Sequence, residues 1–411
     1  MMADADLQSG AQGPAHVDFS RTLAPSPFYD RLVSHTITQN WAGWNGYQVP
    51  RVVDTVSSEY FAVRSSTSVM DLTPMEKYRI TGPDAQDYLN RLVTRDIRKL
   101  KPGSVAYALW CNDEGRVIDD GTIFRLSETD YRLCAQHHQL DWLMLSAIGF
   151  DVSITKETHD IAALAVQGPT AFSVLSEAGF ERLSALKPFG ITSTELAGIP
   201  LTVSRTGFTG DLGYELWMQP EDALAVWDAI FGVKERGLYD IRVIGLDALE
   251  MVRIEAGFIM PGWDFNTADA VVRADHDRSP FELDLAWLVH FDKPYFTGKR
   301  ALIAEAARPA KRRLVKLILD GNKVPSGSFL FDRKNGTNVG AVMAHTWSPI
   351  LKRALALADI ELTNCQVPET LWAEIYYQKE LKWKLAWAKA QVTDKAFWSH
   401  PRRSATPPHA T

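Results

Sequence analysis

Two adjacent acids inside an apolar run are the first residues in this sequence whose placement stands out. Asp119-Asp120 stands within Val117–Leu126. Strand alternation sends one of the pair to the face of Val117, Gly121 and Ile123, and the other to the face of Ile118, Thr122 and Phe124. One acid then faces inward, where a positioned carboxyl can act as acid or base; the alternative is a polar strand end beside a turn. A second acid, Glu215, lies in Ser204-Arg205-Thr206-Gly207-Phe208-Thr209-Gly210-Asp211-Leu212-Gly213-Tyr214-Glu215-Leu216. Between Tyr214 and Leu216 on a strand it is either on a wet face or buried opposite a partner, because an unpaired buried charge is very costly. The glycines of this segment recur every three residues, and apolar residues follow them instead of a helix start, which does not fit a dinucleotide-binding loop. A tight hairpin needing positive φ at several glycines is the plain reading. Arg253 sits among Ala248, Leu249, Val252, Ile254 and Ala256 on a helical stretch. It either snorkels to water or clamps a buried acid with both prongs of its guanidinium.

Other chemistries find less support. The chain has no GxxxxGK[ST], HExxH, GxSxG or CxxC segment, so phosphate-loop, zincin and nucleophile-elbow reactions lack their local signatures. Asp275-His276-Asp277 invites a metal, but neighbouring residues point apart and Arg273 and Arg278 suit a solvated loop, so no metal is expected. His137-His138 reads as a turn and strand edge. Most of the 13 tryptophans are expected to be core anchors, some of them lining a flat ligand's pocket.

The elements that must hold these residues can be read in outline. With 411 residues the chain exceeds the roughly 250–300 that one core supports, so two or three domains are expected. Its 46% hydrophobic and 23% charged residues are those of a packed globular protein. A formal charge of −6 gives no field to gather nucleic acid. The three cysteines, an odd number, fit a reducing, cytoplasmic setting. The N-terminus is acidic where an export signal needs basic residues, and no stretch is long and apolar enough for a membrane span. Two units repeat a strand, a Gly-Pro turn and a helix: Tyr78–Ala85 running into Tyr88, Leu89, Leu92 and Val93, and Ala165–Ala171 running into Val174 and Leu175. They are a duplicated unit or two uses of one common turn. Val105–Ala135 reads as an antiparallel meander carrying Asp120. Helices are expected over 221–233 and 246–255, and a basic linker (RPAKRR, 308–313) leads to a β-rich last domain with strands near 314–319, 340–345 and 371–377.

Taken together, six segments resemble the glycine-cleavage T-protein (aminomethyltransferase) family: Asn40-Trp41-Ala42-Gly43-Trp44, Glu59 through Arg64, Val69-Met70-Asp71-Leu72, Cys111 through Asp120, SRTGFTGDLGYEL, and Arg253-Ile254-Glu255-Ala256-Gly257. The resemblance spans most of 25–360 and includes the related tetrahydrofolate-dependent demethylases. It implies an α+β fold of three domains in a cloverleaf-like arrangement, with a central folate channel. The expected division is a loose tail at 1–20, a discontinuous folate-binding core of 21–75 and 160–305, an α+β domain of 76–159, a β-rich domain of 314–398, and a tail at 399–411 that wraps or frays. Tetrahydrofolate is the implied cofactor. Asp120 is the implied catalytic acid beside the folate nitrogens. Glu215 and Arg253 match the pterin-contacting acid and base, and Tyr107, Phe124, Phe208 and Trp287 stand where channel residues occur. The implied reaction moves an aminomethyl or methyl carbon to tetrahydrofolate from a lipoyl-carried or small-molecule donor, with a carrier protein as a possible partner. Demethylation of a small S-, N- or O-methylated compound is the alternative, and a non-catalytic folate-binding regulator is a second. The chain departs from the family at Thr73-Pro74-Met75, at Pro261-Gly262-Trp263-Asp264 and along Ala270–Arg278, near the expected channel mouth.

Overall fold

A computed structural model describes residues 22–273, 276–406 and 408; the expected tail at 1–20 lies outside them. The α+β class and the β-rich C-terminal unit expected from sequence are both present. A six-stranded sheet has the order Ile191–Leu196, Ile199–Ser204, Gly213–Met218, Ala162–Gln167, Thr67–Asp71, Ile241–Val243. Only the last pair is parallel. A five-stranded antiparallel sheet runs Ser104–Cys111, Val117–Arg125, Asp130–Ala135, Glu76–Thr81, Ser153–Lys156. Six further strands between Arg312 and Thr393 close a barrel, which leaves no open sheet edge over the paired length.

The repeated strand–turn–helix unit occurs once in each open sheet. Gly82 (φ 133°) joins strand Glu76–Thr81 to helix Ala85–Leu92, and Gly168 (φ 128°) joins strand Ala162–Gln167 to helix Ala171–Ala178. Both turns press against backbone: an added Cβ would meet Asp151 O at 2.5 Å in the first and Ser66 O at 2.3 Å in the second. A side chain is therefore excluded twice over, by conformation and by space.

The apolar faces decide the packing. Val174 and Leu175 of one helix and Val226, Trp227 and Ile230 of helix Ala223–Glu235 cover one face of the six-stranded sheet. Tyr88, Leu89 and Leu143 cover one face of the five-stranded sheet. The remaining faces of the two sheets meet in a third core, where Val105, Phe124 and Cys134 pack with Ala163, Ala165 and Trp217, flanked by Tyr60, Val63, Ala248 and Val252 from two helices. The barrel seats Ala344, Leu355 and Leu357 on Ile254 of helix Leu246–Ala256. Its first strand begins at Arg312, so the basic 308–313 run is not all linker. Arg312 pairs with Asp359 and Glu361, and Arg313 with Asp284.

Candidate active site

The seam between the two open sheets carries the acids. Asp120, Thr122 and Phe124 share one face of their strand, and Glu215 and Trp217 share one face of theirs. Phe124 meets Trp217 edge-to-face at 5.0 Å between ring centroids, so the two acid-bearing faces look at each other. At about 3.4 Å per residue, Asp120 lies ~14 Å along its strand from that contact and Glu215 ~7 Å along the other.

Tyr107 and Asp120 are diagonal neighbours on adjacent strands, since Tyr107 pairs with Thr122 and Leu109 with Asp120. The Tyr107 hydroxyl donates to Asp120 Oδ2 at 2.5 Å. Burial, and next the charge of Asp119, push the Asp120 carboxyl up to about 8, against the Tyr107 bond, which favours the charged form. Asp119 departs from expectation. It does face the opposite side, but that side is interior as well, and the residue is 0% exposed. Its Oδ1 accepts the Asp120 N–H at 2.9 Å, and its Oδ2 accepts the His137 N–H at 3.3 Å and Gln139 Nε2 at 3.4 Å. The His137 ring is 3.7 Å from the same oxygen. Burial works to lower the His137 pKa, but the Asp119 bond and charge outweigh it and raise it.

Glu215 is half-buried in the middle of its sheet, opposite Ser204 and Ala165. Its Oε2 accepts Thr206 Oγ1 at 2.5 Å and Ser204 Oγ at 3.4 Å. Among the described residues no cation lies within ion-pair distance, and burial lifts the carboxyl to about 7, against the two hydroxyls. Arg253 does not join it. The guanidinium is fully buried and bound to Glu250 at 2.8 and 2.5 Å and to Asp264 at 2.5 Å. The clamp expected on a buried acid takes a different form: both prongs go to Glu250, three residues back on the same helix and 31% exposed, and the buried Asp264 takes a single bond. The charge of Asp264 adds a small part to the raised pKa of Asp120.

Comparison with known proteins places this geometry. The GCVT N-terminal domain model matches residues 12–293. The aminomethyltransferase of Thermotoga petrophila is 31% identical over 323 residues, 78% of this chain and 84% of that protein. The chain belongs to the glycine-cleavage T-protein family. It is thus an enzyme of tetrahydrofolate-dependent one-carbon transfer, as the six segments implied. A second relative, trimethylamine-oxide aldolase of Ruegeria pomeroyi, is 34% identical over 355 residues, 83% of this chain but 43% of that protein. The crystal structure of the glycine cleavage system aminomethyltransferase T of Bartonella henselae shares the fold, with a TM-score of 0.78 over 92% of this chain and 98% of that one at 23% identity.

The aromatic residues expected to line a channel are unevenly placed. Tyr107 lies 6.2 Å from Trp287, which is 59% exposed, so these two stand together beside Asp120. Phe208 stacks at 5.3 Å on Phe258, a residue that sequence reasoning missed. Phe124 is fully buried; it supports Trp217, whose indole N–H donates to Ser204 Oγ at 3.1 Å. Ser204 and Thr206 were also missed, although both lie in the glycine-rich segment that pointed to Glu215. That segment uses its glycines differently from expectation. Only Gly210 has positive φ, at 74°. Gly207 and Gly213 are required by the Gln167 side chain, whose Oε1 would stand 2.0 Å from a Cβ at either site. Gln167 Nε2 donates to Thr206 O and Tyr214 O, and Thr209 Oγ1 donates to Gln167 Oε1. Asp275 lies outside the described residues, and Asp277 is 3.8 Å from Arg116. Among the described residues no cluster of His, Cys, Asp and Glu is placed to hold a metal, and no helix is long and apolar enough to cross a membrane.

Proposed function

We propose that this chain moves a one-carbon unit from an aminomethyl or methyl donor to tetrahydrofolate, with Asp120 as the acid–base residue. The observation that carries the reading is the pair of uncompensated, half-buried carboxyls, Asp120 and Glu215, on two sheet faces joined by Phe124 and Trp217. A pterin edge offers an amide and an amino group. Glu215 suits it, because Oε2 is held by two hydroxyls and Oε1 accepts no hydrogen bond among the described residues. Tyr107, Trp287 and Phe208 would flank the ring system, Phe124 would support the Glu215 wall from behind, and Arg253 would act through Glu250 and Asp264. Tetrahydrofolate supplies the nucleophilic nitrogen. Asp120, held in place by Tyr107, would take the proton that nitrogen sheds on bonding to the carbon, while the carbon's bond to the donor heteroatom breaks and its electron pair leaves with the donor.

The donor is open to two sources. Family membership favours a lipoyl arm presented by a carrier protein. The likeness to trimethylamine-oxide aldolase favours a small methylated compound. A product screen with tetrahydrofolate and candidate donors decides between them. Methylenetetrahydrofolate formed only with a lipoylated carrier supports the first, and methyltetrahydrofolate from a free methylated compound the second. A cytoplasmic setting follows from this reading and from three unpaired cysteines, two of them buried.

Two expected results test the site. Glu215→Ala weakens tetrahydrofolate binding by at least roughly tenfold, the effect of losing one charged hydrogen-bond partner; calorimetry giving the parental affinity on a folded variant removes Glu215 from the site. The second concerns pH. A carboxyl with a pKa near 8 is protonated below it and cannot accept a proton there. The value of kcat/KM should therefore rise with pH through a midpoint near 8, and a profile flat from pH 6 to 9 contradicts Asp120 as base.

A further inference from the structure

The C-terminal segment leaves the barrel after Thr393 and crosses back to the six-stranded sheet. The Trp398 N–H donates to Glu255 O at 2.7 Å, and the indole lies 5.1 Å from the Arg64 guanidinium. Arg402 then grips Asp211 with two prongs, Nε to Oδ1 at 2.6 Å and Nη2 to Oδ2 at 2.7 Å, and Nη2 also donates to Arg64 O at 3.3 Å. Arg205 reaches the same segment from below, donating to Ala405 O at 2.6 Å, Thr406 Oγ1 at 2.9 Å and Arg403 O at 3.4 Å. Arg403 lies 5.1 Å from the Phe258 ring, which is the ring stacked on Phe208.

Two of these anchors, Asp211 and Arg205, lie within residues 205–211, and a third, Arg64, donates to Thr209 O within it. That stretch turns at Gly210, whose φ of 74° favours glycine, and it supplies Thr206, which with Ser204 at the end of the preceding strand hydrogen-bonds Glu215. Gln167 holds it from within; the C-terminal segment holds it from outside. Asp211 is fully buried, and a planar two-pronged bond to it fixes position and direction together. Without Arg402 its remaining cation is Arg64 at 3.6 Å.

We propose that residues 398–406 form a positioning strap for the one-carbon site, in which the Arg402–Asp211 pair fixes the 205–211 loop and, through Thr206, the carboxylate of Glu215. Arg402 is thus a positioning residue. The inference rests on the assignment of Glu215 to tetrahydrofolate, so its test must separate the two.

The test uses the full chain, with tetrahydrofolate affinity measured by calorimetry well below each variant's Tm, and steady-state kinetics alongside. Arg402→Ala is expected to raise Kd and KM for tetrahydrofolate about tenfold, the effect of one charge-assisted bond, while kcat falls less than about threefold. Arg402→Lys, which keeps the charge but not the fork, should recover part of the loss. Thr206→Val should weaken binding similarly, and the Arg402→Ala/Thr206→Val double variant should be little worse than the weaker single one, because both act through Glu215. Parental affinity in Arg402→Ala, with or without a lower Tm, makes the strap merely structural and overturns the proposal. Fully additive losses overturn the route through Thr206. If Glu215→Ala binds normally, the underlying reading falls with it; if Glu215→Ala is weak and Arg402→Ala is not, only the strap proposal falls. Should Arg402→Ala not fold, Arg402→Lys, alone and with Thr206→Val, supplies the same comparison.

Discussion

Asp120→Asn is expected to cut turnover by ~10²–10⁴-fold, the usual contribution of a positioned acid–base group, while tetrahydrofolate affinity falls far less. Asn keeps the size of the side chain and can still accept the Tyr107 hydroxyl, so the local packing survives and the loss reports proton transfer. The rise of rate with pH around 8 should vanish in the same variant. Asp119 is the contrast. It lies on the other strand face, where the backbone N–H of Asp120, the N–H of His137 and Gln139 Nε2 all donate to it. Asp119→Asn turns one acceptor oxygen into a donor that faces those N–H groups, at a cost of about 1–3 kcal/mol in stability. Turnover should drop less than about tenfold, and the midpoint of the pH profile should move down, because the charge of Asp119 helps to hold the Asp120 pKa up. Rapid-quench turnover together with calorimetric binding separates these outcomes. If both variants work within about twofold of the parent, the acids of this strand are structural and the chemistry lies elsewhere.

The difference between these two acids shows what the sequence can and cannot say. Alternation along Val117–Leu126 is a local property of the backbone, so it correctly separated Asp119 from Asp120 and set Phe124 on the Asp120 face. Whether the far face is wet depends on what covers it, and Asp119 is met there by His137 and Gln139, which no local pattern connects to residue 119. Arg253 shows the same limit. Its place on the helix was legible, and Glu250 at i−3 was within reach of a helical reading, but Asp264 arrives from a loop whose path is set by tertiary packing. The glycine-rich segment was legible as a special turn for a reason that proved only partly right: Gly210 answers to φ, whereas Gly207 and Gly213 answer to the side chain of Gln167, some forty residues earlier in the chain. The basic run at 308–313 was read by composition alone, yet Arg312 has its acids on a barrel strand more than forty residues away. The six family segments overcame part of this distance, because each marks a place where the chain meets a remote partner.

Two of those segments contain residues that meet each other, and their meeting supports the second large expectation. Arg64 closes the Glu59–Arg64 segment and Glu255 lies in Arg253–Gly257; both are fully buried, with Arg64 Nε and Nη2 donating to Glu255 Oε2 at 2.9 and 2.8 Å. Glu255 Oε1 accepts the Tyr60 hydroxyl at 2.6 Å and Ser348 Oγ at 2.5 Å. One carboxylate thus joins helix Val56–Ser65, helix Leu246–Ala256 and the barrel strand Asn338–Ser348. Glu255→Ala would leave the Arg64 charge buried with, among the described residues, only Asp211 at 3.6 Å to answer it, and would strip two hydroxyls of their acceptor. Removing one member of a buried pair costs about 3–5 kcal/mol, which at roughly 2–4 °C per kcal/mol lowers Tm on the order of 10 °C. The pair itself contributes much less than this, because burying both charges is costly. Arg64→Met with Glu255→Leu should therefore recover much of the loss, and the double variant should be more stable than Glu255→Ala alone. Scanning calorimetry of the three proteins makes the comparison. A Glu255→Ala Tm within about 2 °C of the parent would mean that water reaches Arg64, and that the two helices and the barrel are held together by their apolar contacts, Ile254 against Ala344, Leu355 and Leu357, without this ion pair.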